Sequence, residues 1–136
     1  MNKKVINLTI LTPYGKYFEG EVSSIHVHSE DYFLGIYPNH EPLISTISIS
    51  PMELVFNGEK YYYAVGGGII NIEKDKTTLV LDSIERTDEI DLNRAIEAKK
   101  RAESRLSDKS NQNIDFKRAK EALARAQNRI NLNKNH

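Results

Sequence analysis

Hydrophobic and polar positions along the chain fall into two regimes with different periods. Through about residue 86 the period is two, the repeat of a strand with one buried face. Ile6, Leu8 and Ile10 alternate with Asn7 and Thr9. Val22 to His28 alternates less cleanly, with Ile25 and Val27 on one face. Leu43, Ser45, Ile47 and Ile49 form another alternation, and Met52, Leu54 and Phe56 precede Asn57-Gly58. Asn-Gly between apolar alternations predicts a tight hairpin, because both central positions of the favoured turn need positive φ. The return strand is Lys60 to Val65, followed by Ile69 to Ile72, a polar turn at Glu73 to Lys76, and Thr78 to Ser83. Many short strands at close spacing predict a small sandwich or barrel.

From Asp91 the period lengthens to that of a helix. Asp91 is placed to cap a helix running to about Leu106, and Asp115 to cap a second running to about Leu132. The polar stretch Ser107 to Asn113 breaks them, and so short a connection predicts an antiparallel hairpin. The domains are therefore residues 1–86, strand-rich, and 87–136, helical. The apolar face of the first helix is Leu92, Ala95, Ile96, Ala98, Ala102 and Leu106; that of the second is Ala119, Ala122, Leu123, Ala126 and Ile130. Alanine supports each helix through its intrinsic propensity. It buries far less apolar area than the ~1.5–3 kcal/mol worth of a Leu or Ile. The expectation is two helices that persist individually but hold each other weakly, so that the hairpin can swing, straighten or dock elsewhere.

Charge sharpens this division. The 136 residues carry 19 basic and 19 acidic side chains. Residues 1–86 hold 7 Lys and Arg against 11 Asp and Glu, and residues 87–136 hold 12 against 8. Halves of opposite sign imply different partners. A net charge of zero, with all the aromatic residues but Phe116 in the other half from the helical arginines, argues against nucleic acid. There is no cysteine, which removes disulfides and thiolate metal sites. No apolar run approaches the ~20 residues that span a bilayer, and Met1-Asn2-Lys3-Lys4 leads into strand rather than signal-peptide pattern. The chain is expected not to enter a membrane itself.

Candidate chemistry is sparse. Gly66-Gly67-Gly68 lacks the Lys-Ser/Thr and following helix of a phosphate loop, so a bulge or a close backbone approach is expected there. His26 and His28 share a strand face but are two ligands without a third, and no metal site is expected. His40 sits in a Pro-bounded loop that it is expected to orient. No nucleophile elbow, HExxH or Ser-His-Asp pattern is present, so a small hydrolase is disfavoured and the chain is read as non-catalytic. The arginines of the helical half offer more. Arg94 and Arg101 are seven apart, Arg118 and Arg125 likewise, and Arg125 and Arg129 four apart, so a hairpin can gather several guanidinium groups. They can be paired by Glu97, Glu103 and Glu121, dock on an acidic protein, or hold a polyphosphate.

The stretch Phe33-Leu34-Gly35-Ile36-Tyr37-Pro38-Asn39-His40-Glu41-Pro42-Leu43 resembles the Gly-Ile-x-Pro-x-His-x-Pro-Leu segment of the epsilon subunits of bacterial F-type ATP synthases. Gly66-Gly67-Gly68 falls where that family carries a Gly-Gly pair, and the order of strand-rich domain then helical hairpin also agrees. The resemblance covers essentially the whole chain. It implies a flattened ten-stranded β-sandwich followed by two helices, in a rotor subunit without a catalytic site of its own. The implied partners are the gamma subunit and c-subunit ring for the sandwich, and the alpha and beta subunits for the hairpin, which in the family inhibits ATP hydrolysis. The implied location is peripheral, on the cytoplasmic face of the cell membrane. Gly35, Tyr37, Pro38, His40, Pro42, Gly66 and Gly67 become candidates for subunit contact.

Some bacterial members bind ATP in the folded hairpin through Ile/Leu-Asp-x-x-Arg-Ala, and Ile90-Asp91-Leu92-Asn93-Arg94-Ala95 matches. Glu85, Arg101, Arg125 and Arg129 resemble further ligand positions of such members. By this resemblance the arginines would hold phosphates, while Asp91 and Glu85 accept hydrogen bonds from base or ribose. No cofactor is required; ATP enters as a regulatory ligand. The competing reading is a stand-alone nucleotide-sensing module that uses the arginine hairpin outside any synthase.

Overall fold

The computed structural model describes residues 4–108 and 115–136. The strands are β1 (Ile6–Thr12), β2 (Gly15–Val22), β3 (Ser24–His28), β4 (Phe33–Ile36), β5 (Leu43–Phe56), β6 (Glu59–Ile72), β7 (Thr77–Leu81) and β8 (Ile84–Arg86). A single 3-10 turn, Thr87–Glu89, leads to α1 (Leu92–Ser107) and α2 (Phe116–Asn135). The hydrogen-bonded order is β2-β1-β7-β6-β5-β3-β4, with β8 paired to β6. All ladders are antiparallel except β1 with β7.

Eight strands stand among the described residues where ten are expected, and the reason lies in β5 and β6. Each is 14 residues long and serves both layers. The Leu43–Ile47 part of β5 pairs with Gly68–Ile72 of β6, which continues to β7 and β1; the later part of β5 pairs with β3. Buried positions on β5 run Ser45 and Ile47, then Ser50, Met52 and Leu54, so the inward face slips from odd to even residues. That slip coincides with the missing pair between Ile47↔Gly68 and Ile49↔Gly66. The long hairpin bends there, and counting its four halves separately gives ten. The halves close on one core that includes Ile10, Ile25, Val27, Met52, Leu54, Ile70 and Leu79. At the far end of this hairpin Asn57 and Gly58 both have positive φ, as the turn requires.

The glycine run is built into this bend. Gly67 has φ +92 and Gly66 and Gly67 are buried. A Cβ on Gly68 would lie 2.0 Å from the Val80 carbonyl oxygen, so the absence of a side chain lets β6 meet β7.

The helices follow their caps. Asp91 accepts from the Arg94 N–H and Asp115 from the Arg118 N–H, each at 3.1 Å. The first helix ends at Ser107, and α2 continues beyond Leu132 to Asn135. Most of the expected break, Ser107 to Asn113, lies outside the described residues. The two helices pack on each other as a hairpin. Ala95, Ala102, Ala119 and Ala126 are buried at that contact level, whereas Leu92, Ile96, Leu106 and Leu123 are only half-buried. Ile130 and Leu132 of α2 are the large apolar side chains that do become buried; the others gain only part of their possible burial, and the helix–helix contact rests largely on small ones. The hairpin is folded back, with α2 carrying most of its contact to β5 and β6.

Candidate functional site

Between the start of α1, the end of α2 and the sandwich lies a cleft of about 500 Å³. Its wall is built from three places in the chain. β8 and the 3-10 turn supply Glu85 and Glu89; α1 supplies Asp91, Arg94, Ala95, Ala98 and Arg101; α2 supplies Arg129. Three guanidinium groups therefore face three carboxylates. Arg129 Nε donates to Glu85 Oε1 across the cleft, with both side chains about a quarter to a third exposed (27% and 30%). No ion pair holds Arg94 or Arg101 among the described residues, and none joins any arginine to Glu97, Glu103 or Glu121. A helix rises 1.5 Å per residue, so Arg101 stands about 10 Å beyond Arg94 along α1. The cleft is thus polarised: carboxylates gather at the sandwich end and unpaired arginines line the way toward the hairpin tip. Such an arrangement suits a ligand with hydrogen-bond donors at one end and several negative charges at the other.

The sandwich end is held firmly. Glu89 Oε1 accepts from the Arg86 N–H at 2.8 Å and from the Tyr17 hydroxyl of β2. Burial, and then the Glu89 carboxylate, push the Tyr17 phenol well above its usual value. Arg86 reaches Asp88 through Nε at 2.6 Å and Nη2 at 2.9 Å, and this bidentate contact lowers the Asp88 pKa. Thr87 Oγ1 donates to the Tyr62 carbonyl at 3.0 Å. The connector up to Glu89 belongs to the sandwich.

Of the eight residues expected at a nucleotide site, Glu85, Asp91, Arg94, Ala95, Arg101 and Arg129 line the cleft. Ile90 and Arg125 do not: Ile90 is half-buried in the connector, and Arg125 lies on α2 outside the lining. Glu89 and Ala98 line it without being among the residues expected at the site. Ala98 lies one turn beyond Arg94 and so falls on the same helix face. Glu89 has no such signal, since its direction depends on Tyr17 from a distant strand.

The expected subunit-contact residues fall in two settings. Tyr37, Pro42 and the turn at Pro38-Asn39-His40 form the surface loop after β4. His40 Nδ1 donates to the Glu41 carbonyl at 2.6 Å, which orients the loop. Gly35 lies under the rings of His26 and Tyr37, each 3.3 Å from where its Cβ would be. Tyr37 Oη is 3.0 Å from His26 Nε2; His26 Nδ1 is 2.6 Å from Glu53 Oε2 but off the hydrogen-bonding direction. Gly66 and Gly67 are buried and present no free surface in this conformation. No set of three or more His, Asp or Glu side chains is arranged to hold a metal among the described residues.

An exposed apolar row was not foreseen. Leu11 stands opposite Val80 and Val80 opposite Ile69 in the ladders, with Ile44 nearby on β5. Their exposures are 36%, 51%, 49% and 70%, on the outer side of the sheet. Alternation hides such a row, because each strand shows one outward apolar residue only.

Residues 5–87 match the family model described as ATP synthase, Delta/Epsilon chain, beta-sandwich domain, and residues 88–133 match ATP synthase, Delta/Epsilon chain, long alpha-helix domain. Proteins called ATP synthase epsilon chain from Bacillus thuringiensis (strain Al Hakam) and Bacillus cereus (strain B4264) are each 43% identical over 106 residues, covering 78% of this chain and 80% of theirs. A chain in the Euglena gracilis mitochondrial ATP synthase, OSCP/F1/c-ring assembly, superposes with TM-score 0.81 at 16% identity, covering 100% of this chain and 84% of that one. A chain of the Tetrahymena thermophila mitochondrial ATP synthase central stalk and c-ring gives TM-score 0.58 at 14% identity, covering 99% and 98%.

Proposed function

The chain belongs to the ATP synthase delta/epsilon family, and from that premise we propose that it is a non-catalytic rotor subunit whose hairpin senses ATP and restrains hydrolysis. Its partners are the gamma subunit, the c-subunit ring and, when the hairpin opens, the alpha and beta subunits. It sits peripherally on the cytoplasmic face of the cell membrane, through the complex. No described helix is long and apolar enough to cross a membrane. The row Leu11, Val80, Ile69 and Ile44 supports a lasting protein contact, since adjacent exposed apolar side chains gain from being covered. The loop from Tyr37 to Pro42 offers a second, polar and aromatic contact.

The observation that carries the regulatory reading is the cleft with Arg94 and Arg101 unpaired beside Asp91, Glu85 and Glu89. ATP bound there bridges α1, α2 and the sandwich, and ligand that binds only this form stabilises it by mass action. Without ligand, the Ala-packed hairpin opens and its basic surface meets acidic partners. That docking weakens as salt rises; salt-independent docking would contradict it.

The test is calorimetric titration of ATP into the wild-type chain and an Arg94→Ala variant, alongside copurification with gamma. Heat from the wild type and none from the variant is expected. No heat at millimolar ATP would remove the sensor role while leaving the stalk role to the copurification. Failure to retain gamma would instead favour a stand-alone sensor.

A further inference from the structure

The side of α2 that meets the sandwich is unlike the side that meets α1. Ala126 and Ile130 are buried and lie on the α1 side. Roughly opposite them are Ala124, Gln127, Asn128 and Asn131, which with Ser48 and Ser50 line a groove between α2 and β5. The Asn128 Nδ2 amide donates to the Ser50 carbonyl at 2.8 Å and reaches the Val65 carbonyl at 3.5 Å. Ser50 and Val65 are ladder partners beside the bend of the long hairpin. The Gln127 amide donates to Asn131 Oδ1 at 2.8 Å, so it is turned along the helix. Among the described residues, Asn128 is therefore the α2 side chain that hydrogen-bonds to the sheet backbone.

Its neighbour gives that tie a consequence. Arg129 is one residue on, about 100° round the helix, and faces Glu85 of β8 in the cleft. We propose that Asn128 is a positioning residue for the nucleotide site: by clasping the sheet at Ser50 and Val65 it sets Arg129 in the cleft, so that the ligand reads docking of the hairpin on the sandwich. This rests on the ATP-sensing reading above. It adds that α1 and α2 folded together are insufficient, because Glu85 and Glu89 stay with the sandwich when the hairpin leaves.

A hydrogen bond within an amide–carbonyl contact changes an equilibrium by about threefold to tenfold. Asn128→Asp keeps the shape, removes the donor and sets a carboxylate against two carbonyls. The docked-to-undocked ratio should fall by at least about tenfold, and by somewhat less in Asn128→Ala. Apparent affinity for ATP then falls in proportion to the docked fraction.

The experiment uses the full chain, which has no native cysteine, labelled at Glu19→Cys and Glu103→Cys for a distance distribution. It is run on wild type, Asn128→Asp, Asn128→Ala and Arg94→Ala, with and without ATP. The expected result is a longer second distance in both Asn128 variants, collapsed by saturating ATP, with affinity tracking the short-distance fraction. Arg94→Ala should keep the short distance and lose the ATP response. Unchanged distances in the Asn128 variants would overturn the clasp. Lengthened distances with unchanged affinity would overturn the dependence of the site on docking. If the wild type takes up no ATP, the sensor reading and its coupling fail together, and the ligand-free distances still decide the clasp.

Discussion

Replacing Gly68 by alanine should disable the sandwich, while replacing Gly66 should scarcely disturb it. A Cβ on Gly68 would stand 2.0 Å from the Val80 carbonyl oxygen and 2.9 Å from Leu81 Cα. Both are backbone atoms of β7, so relief requires moving one strand away from the other by an ångström or more. The adjoining pairs Gly68↔Leu81 and Ile69↔Val80 would be strained together. Overpacking costs about 1–3 kcal/mol, and a weakened ladder hydrogen bond adds about 1 kcal/mol. A loss of about 2–4 kcal/mol is expected, a large share of the ~5–15 kcal/mol that holds a domain together. At Gly66 the nearest atom is Ser83 Oγ, 2.1 Å from the added Cβ, and a hydroxyl side chain can rotate away; Ser83 Cβ at 3.3 Å and Ser83 N at 3.4 Å then need only a slight shift. That substitution should cost under about 1 kcal/mol. Gly67 falls between: its nearest contact is 3.5 Å, but φ +92 costs a side-chain-bearing residue about 1–2 kcal/mol. Urea unfolding followed by far-ultraviolet circular dichroism on the three variants measures the ranking; the chain has no tryptophan to serve as a probe. Gly66→Ala destabilising as much as Gly68→Ala would refute the steric account.

Three further expectations follow from the geometry. Ala126 is fully buried between the helices, so Ala126→Leu should wedge them apart at about 1–3 kcal/mol, seen as faster amide exchange in α1 with the sandwich unchanged. Asp91→Ala removes the acceptor for the Arg94 N–H and should cost about 1 kcal/mol, with Asp91→Asn retaining most of the cap; thermal melts of the helical signal distinguish them. Burial holds the Tyr63 phenol up at about 12 against 10.0, and burial with Glu89 raises Tyr17 as well. The unfolded chain then ionises first. These groups leave stability intact below about pH 10 and withdraw it as pH climbs toward and past 12, so tyrosinate absorbance should show late-titrating residues and Tyr17→Phe one fewer.

The sequence by itself determined the elements that depend on near neighbours. Period-two alternation marked β1, β3, β5, β6 and β7 but not β2, β4 or β8; Asn57-Gly58 marked the turn with two positive φ values, and Asp91 and Asp115 marked the helix starts. Six of the eight residues expected at the nucleotide site line one cleft, because Asp91, Arg94, Ala95 and Arg101 share a helix face by spacing alone. What tertiary structure decided involves partners far apart in the chain. The long hairpin bends without ending, so ten apparent strands are eight; the glycine run signals a close backbone approach, but no local pattern names Val80 of β7 as the partner of Gly68. Glu89 enters the cleft because Tyr17, 72 positions earlier, holds it there. Arg125 and Arg129 look equivalent on a helical repeat, yet Arg129 alone faces the cleft. The difference lies in how α2 rests against the sandwich, where Arg129 meets Glu85 of β8 and Asn128 bonds to carbonyls 63 and 78 residues away.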